Sequence, residues 1–329
     1  MSTTAAALTF GFGTLASLAT SWVLVSRIER IGGRFGASEA MLGLMAALAA
    51  DTPEISSAVS ALAHHQRAVG VGVVLGSNVF NLAALLGLGA VAAGRITLHR
   101  RVVVLEGVVA VWVAVMSLLT VQGVFPSAAG LALVLAVLLP YAVLAGSKRG
   151  RSESGPLRRW INAAIREEEI ELRPAMDHRR GRSVDVAVAS LALVIVVTAS
   201  VAMERAASTL GSRFSISDIV VGTVVLAGVT SLPNAVAAVY LARRGRGAAT
   251  LSTALNSNAL NVAAGLLVPA VIIGIGRPIS SVSTVAGWYL ALTAGVLVVA
   301  YRDSGLRRSM GVAVIAAYGV FVGVIVSTA

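Results

Sequence analysis

The sequence predicts an all-α polytopic membrane protein of ten transmembrane helices, built as two inverted-topology five-helix repeats. Three observations predict this: a composition suited to lipid, a one-sided distribution of basic residues, and an internal repeat with an odd number of spans. Of the 329 residues, 57% are hydrophobic and only 12% charged, with a mean hydropathy of +0.87. A soluble domain carries about twice that share of charge. The apolar residues fall into runs of about 20, which is the length a helix needs to cross a hydrocarbon core of roughly 30 Å.

Ten such runs lie near 5–27, 37–62, 69–94, 102–121, 125–146, 184–206, 216–241, 248–274, 279–301 and 309–327. The first has no basic stretch ahead of it and reads as a retained span rather than a cleaved signal. Of the 26 Lys and Arg, 22 fall in loops that follow odd-numbered spans; the other four are Arg67, Arg205, Arg213 and Arg277. Basic loops stay in the cytoplasm, so both termini are expected on the far side. The net charge of +11 is thus a topology signal, and no nucleic-acid partner is expected. The bias of 25 Arg to one Lys points to a GC-rich genome, and so to a prokaryotic inner membrane. There are no cysteines, which excludes disulfides, thiolate metal sites and cysteine nucleophiles. The chain has no H-E-x-x-H and no paired aspartates on separate spans, so neither an enzyme nor a resident cofactor is expected. The expected partners are membrane lipid and inorganic cations, and the oligomeric state stays open.

The second half repeats the first at an offset of 180. Pro53 falls on Pro233, Ser77 on Ser257, Asn78 on Asn258 and Asn81 on Asn261. Just upstream, at an offset of 179, Arg34-Phe35 falls on Arg213-Phe214 and Gly43 on Gly222. A unit of five spans enters the membrane from opposite sides in its two copies, as in secondary transporters. The expected divisions are a first repeat over 1–146, a cytoplasmic linker over 147–183, and an inverted second repeat over 184–329.

The chemistry concentrates inside the membrane. A charge at mid-bilayer costs about 2.5–3.5 kcal/mol on insertion scales, so such residues face a cavity or a partner. Asp51 and Glu54 lie in the middle of the second span, three apart on one helix face. Pro53 between them removes a backbone donor and frees carbonyls near Ala49 and Ala50. Carboxylates, carbonyls and the hydroxyls of Thr52, Ser56 and Ser57 suit a hard cation. The third span adds Gly76-Ser77-Asn78-Val79-Phe80-Asn81, where Gly76 admits a close backbone. The eighth span repeats it as Asn256-Ser257-Asn258-Ala259-Leu260-Asn261, and the seventh brings Thr230-Ser231-Leu232-Pro233-Asn234. Each Ser or Asn also has the plainer use of interhelical bonding, and Gly of packing. Glu106 reads as a structural acid, and His64 and His65 as ordinary loop residues. In the linker, Leu157, Trp160, Ile161, Ala164 and Ile165 recur at helical spacing, as in an interfacial amphipathic helix or a solvated linker helix. The adjoining Glu167-Glu168-Glu169 is expected to be solvated.

T-P-E followed by G-S-N-x-x-N, then T-S-L-P-N followed by N-S-N-x-x-N, resembles the two alpha repeats of the sodium/calcium exchanger family. The resemblance implies a midplane ion site among spans two, three, seven and eight, with alternating access by sliding of the first and sixth spans. It also implies that Glu54, Ser77, Asn81, Thr230, Ser231 and Ser257 are ion ligands. Three positions depart from the family pattern. Asn234 stands in place of the second-repeat glutamate, and Asn261 in place of an acid common in these exchangers. Asp51 stands where the family has Ser. The expected ligand set is therefore Glu54, Asp51, Ser77, Asn81, Thr230, Ser231, Asn234, Ser257 and Asn261. With Asp51 inward the site carries up to two negative charges, enough for one divalent ion or two monovalents; with Asp51 turned aside it carries one. Expected transport is of Ca²⁺ against Na⁺ or H⁺. The alternative is a diverged relative that is specific for monovalent cations or does not transport.

Overall fold

The computed structural model describes residues 1–35, 37–146, 155–172 and 181–329. The first half runs α1 (Thr3–Arg34), α2 (Glu39–Ala50), α3 (Thr52–Ala63), α4 (Arg67–Asn81), α5 (Gly89–Ala93), the strand β1 (Arg95–Thr97), α6 (Arg100–Val121) and α7 (Ser127–Gly146). The helix α8 (Pro156–Leu172) lies in the linker. The second half runs α9 (Ser183–Arg213), α10 (Asp218–Val220), α11 (Ala227–Thr230), α12 (Leu232–Arg243), α13 (Gly247–Leu260), α14 (Val268–Ile273), α15 (Ser280–Arg302), β2 (Gly305–Arg307) and α16 (Arg308–Thr328). Beyond these helices, most of the chain's remaining order is in three π-helical segments, Leu82–Leu88, Val221–Leu226 and Asn261–Leu267.

Among the described residues, eight continuous helices are long and apolar enough to cross a membrane. A ninth span is the pair Asp218–Thr230 and Leu232–Arg243, bent by 48° at Ser231. Length and apolarity alone therefore do not give ten. The expected second span is the pair α2 and α3, interrupted at Asp51, and each half is only 12 residues long.

The two breaks are built alike. Pro53 and Pro233 each occupy the first turn of the helix after the break, where a missing N–H costs nothing. Asp51 and Ser231 hold equivalent bridging positions, with φ/ψ of −80°/−3° and −83°/0°. Two of the π segments are also repeat-related, since each begins where an asparagine motif ends, at Asn81 and at Asn261. A π turn adds a residue to the helical repeat and rotates the side chains beyond it, and such turns gather at functional sites.

Small residues set how closely the elements approach. A Cβ on Gly76 would stand 2.5 Å from the Thr223 carbonyl oxygen, so α4 meets the Val221–Leu226 segment backbone to backbone, the close approach its sequence predicts. The two longest helices, α1 and α9, touch through Ser17 and Ser200, whose hydroxyls are 2.9 Å apart, and through Gly13 against the Ala199 backbone. Their outer faces carry exposed Leu15, Leu191 and Val194, as lipid contact requires. The core instead is α4 with its π extension, whose residues are almost all buried.

The linker helix forms at the spacing its sequence predicts, but its apolar face docks on the protein itself. Ala164, Ile165, Glu168 and Leu172 are buried against the helical body. Ser252 donates to Glu168 Oε1 at 2.5 Å, and the Ala249 N–H donates to Glu171 Oε2 at 3.1 Å. The acidic run is therefore partly built into the protein, not solvated throughout. Just beyond the run, Glu171 receives an N–H at the start of α13, a group that a helix leaves unpaired there. The side chain of Leu157 lies outside the described residues.

Candidate ion site

The breaks at Asp51 and Ser231 bring four elements together. From the first repeat come α3, carrying Glu54, and α4, carrying Ser77 and Asn81. From the second come α12, carrying Asn234, and α13, carrying Ser257. Asp51, Glu54, Ser77, Asn81, Ser231, Ser257 and Asn261 are fully buried, while Thr230 and Asn234 are buried to within 2%.

Hydrogen bonds cross the two repeats. Ser231 donates to Glu54 Oε1 at 2.9 Å. Ser257 and Asn234 both donate to Asp51 Oδ1, at 2.6 and 2.7 Å. Asn81 donates through Nδ2 to Ser257 Oγ at 3.2 Å and to Asn258 Oδ1 at 3.0 Å. Asn78 and Asn258 donate to each other's backbone carbonyl, at 3.0 and 3.1 Å, and so form a reciprocal pair on the repeat axis. Asp51 is therefore turned inward, and it meets the residue that stands in place of the second-repeat glutamate.

These bonds leave a group of oxygens over. Asp51 Oδ2, Glu54 Oε2, Ser77 Oγ, Asn81 Oδ1 and Asn261 Oδ1 are buried and accept no hydrogen bond from the described residues. Buried polar atoms in proteins are nearly always paired, and a group of orphans needs a reason. All five are oxygens, and two belong to carboxylates. Among the described residues no three His, Asp or Glu side chains converge, so the set is two carboxylates with neutral oxygens around them. That donor set suits Na⁺ or Ca²⁺ rather than a soft metal.

The expected residues do not all join the cluster. Thr230 spends its hydroxyl proton on Leu226 O, at 2.9 Å, within its own helical turn. Thr52 likewise donates to Leu48 O at 3.2 Å, and Ser57 to Ser200 O at 3.4 Å, which is interhelical bonding. Buried acids also lie outside it, among them Glu204 and Glu106. Glu204 in α9 escapes the sequence motifs, although the rule that marks any intramembrane acid would have found it. It accepts from Ser60 at 2.8 Å and Ser208 at 3.2 Å, close to the His64–Arg205 contact of 2.9 Å, so His64 is engaged rather than idle. Glu106 accepts from the Tyr141 hydroxyl at 2.7 Å, and Tyr141 in turn accepts from Asn256 at 3.2 Å.

A cavity of about 590 Å³ reaches the cluster at Ala50 and Asn234. It runs along α1 past Trp22, Ser26 and Glu29 and ends near Leu172 of the linker helix. It therefore opens on the linker face of the molecule.

Comparison with known proteins agrees with the two-repeat fold. The profile of the sodium/calcium exchanger protein family matches residues 5–147 and 185–327, one stretch for each repeat. The inner membrane protein YrbG of Escherichia coli K12 is 26% identical over 240 residues, covering 72% of this chain and 71% of its own. Solved structures of the sodium-calcium exchanger NCX_Mj share the fold. The crystal soaked with 100 mM Na⁺ and 10 mM Sr²⁺ superposes with a TM-score of 0.65 at 20% identity over 98% of both chains. The form without Na⁺ and Ca²⁺ gives 0.62 at 19% identity, over 97% of this chain and 98% of that one. With both halves matched and the two-repeat fold shared end to end, the chain belongs to the sodium/calcium exchanger family of membrane cation antiporters.

Proposed function

We propose that this protein exchanges Ca²⁺ for Na⁺ or H⁺ across a prokaryotic inner membrane, by alternating access to the cluster around Asp51 and Glu54. The observation that carries this is the set of five buried, unpartnered oxygens, among them one from each carboxylate. Glu54, Asp51, Ser77, Asn81 and Asn261 supply those oxygens. Ser231, Asn234 and Ser257 orient the carboxylates by donating to their other oxygens, and Thr230 offers only a hydroxyl oxygen whose proton is already engaged. With Asp51 inward, the site's charge reaches −2, which balances one Ca²⁺ or two Na⁺. The same two acids, held on one broken helix, can take up protons when no cation separates them.

The cavity along α1 supports a state open to the linker face, which is cytoplasmic if the 22 basic residues of the odd loops are inside and both termini outside. A second reading is exchange of monovalent cations only. It is favoured by Asn234, which leaves the second repeat with no carboxylate here. Flux in proteoliposomes separates the readings, with Ca²⁺ applied against imposed Na⁺ and pH gradients. Glu54→Gln is expected to abolish gradient-driven flux while the variant still elutes and melts as a folded protein. Wild-type flux in that variant would sink both readings, and Na⁺ flux without Ca²⁺ flux in the native chain would leave only the second.

A further inference from the structure

Away from the ion site, the outer surface between α6 and α15 carries an apolar groove of about 720 Å³. Its walls include Val104, Val108, Trp112 and Val298, and it ends at Tyr301 and Arg302. Val108 and Val298 are 63% and 55% exposed, so the apolar wall faces outward. Its floor is a close helix contact, since a Cβ on Gly107 would crowd Leu297 at 3.3 Å. Along α6 the groove runs from Val103 to Val115. At 1.5 Å per residue that is about 18 Å, close to one leaflet of a roughly 30 Å core.

The end of this groove is strongly cationic. The pairing of β1 with β2 sets Arg95 opposite Arg307, next to the start of α16 at Arg308. The Arg100 guanidinium lies 5.3 Å from the centre of the Tyr301 ring and donates through Nε to Tyr301 O at 3.2 Å. Arg101 and Arg302 are exposed beside it. Against these six arginines stand Asp303, 3.8 Å from Arg307, and Glu167, 3.5 Å from His99. An apolar channel one leaflet deep with a cationic mouth matches an amphiphile with a negative head.

We infer that this groove is a binding site for an anionic phospholipid of the linker-side leaflet. One acyl chain lies along Val104, Val108 and Trp112, and the phosphate sits at Arg101 and Arg302. Trp112 is a built-in reporter, its ring fixed by donation from Nε1 to Leu133 O at 2.8 Å. The test reconstitutes the full chain with chain-brominated phosphatidylglycerol or brominated phosphatidylcholine at equal mole fraction. Quenching at the site is read as the difference between the native protein and Trp112→Phe. The expected result is several-fold stronger quenching by the anionic lipid. That excess disappears when Arg101 and Arg302 are both changed to Gln, and persists when both are changed to Lys. Excess inorganic phosphate is expected to leave it in place, because phosphate has no chain for the groove. Equal quenching by the two lipids, survival of the excess in the Gln variant, or its removal by phosphate alone would each overturn the inference.

Discussion

Asp51 and Asn234 share one hydrogen bond of 2.7 Å, and the repeat makes them partners in a trade of charge. The second repeat keeps the proline and drops the acid, and the first repeat carries two acids on consecutive turns. A carboxylate at 234 would then face Asp51 at hydrogen-bond distance with no proton between them, inside a fully buried cluster. Like charges so placed destabilise a fold until a cation or proton intervenes. Asn234→Asp is therefore expected to lower the melting temperature in detergent without divalent ions. Added Ca²⁺ should restore it by more than in the native chain, because a ligand that binds only the folded state stabilises it by mass action. A melting temperature indifferent to both the substitution and Ca²⁺ would show that position 234 does not face the ion. At this scale the sequence is legible where an acid lies in an apolar run, as at 51 and 54. It is silent on which oxygens stay unpaired, because that depends on the partner repeat some 180 residues away.

The elements divide in the same manner. The two broken helices can be read from Pro53 and Pro233, since proline removes a donor wherever it falls. The π segments cannot, because Leu82–Leu88 and Asn261–Leu267 are composed like any buried helix. The linker helix misleads for a different reason: an acidic run is ordinarily solvated, and only tertiary contact makes Glu168 an exception. Burial, together with the nearby Glu106 carboxylate, drives the Glu168 carboxyl well above the usual range. Glu171, half-buried, is raised as well, chiefly by burial. A carboxyl whose pKa is higher docked than undocked favours docking while it holds its proton. Docking of α8 is therefore strongest below the ordinary value of 4.5. It weakens as pH rises above that and levels off once the docked carboxyl has ionised. Trp160 on α8 reports this when the other three tryptophans are changed to Phe. Its emission is expected to shift as the pH is raised, and Glu168→Gln should remove most of the shift. An emission unchanged across the whole range in the parent would contradict proton-linked docking.

Across the whole molecule, the two repeats build the candidate cluster from the same breaks seen from opposite sides, and the cavity that reaches it runs toward the linker helix. The cavity follows α1 from Ala50 and Asn234 to Leu172. At the other end of α3, Ser60, His64, Glu204 and Arg205 are hydrogen-bonded together. Two copies related by inversion need not hold the same conformation at once; exchanging conformations would open the opposite face. On the proposed mechanism the helices that move in that exchange are α1 and α9, which are packed on each other through small residues and expose apolar side chains on their outer sides. Because the native chain has no cysteine, a single introduced thiol reports the path without background. Ser26 lines the cavity and, among the described residues, its hydroxyl bonds to Val23 O of its own helix at 2.9 Å, so Ser26→Cys should be well tolerated. A membrane-impermeant maleimide is expected to label it in inside-out vesicles and to leave it unlabelled in right-side-out ones, since only a hydrated thiol ionises and reacts. Ser60→Cys, buried at the opposite end, should resist the reagent from the outer face in this state. Labelling of position 26 from the outer face alone would invert the orientation drawn from the arginines. Labelling of it from neither face would show that the cavity does not lead to water.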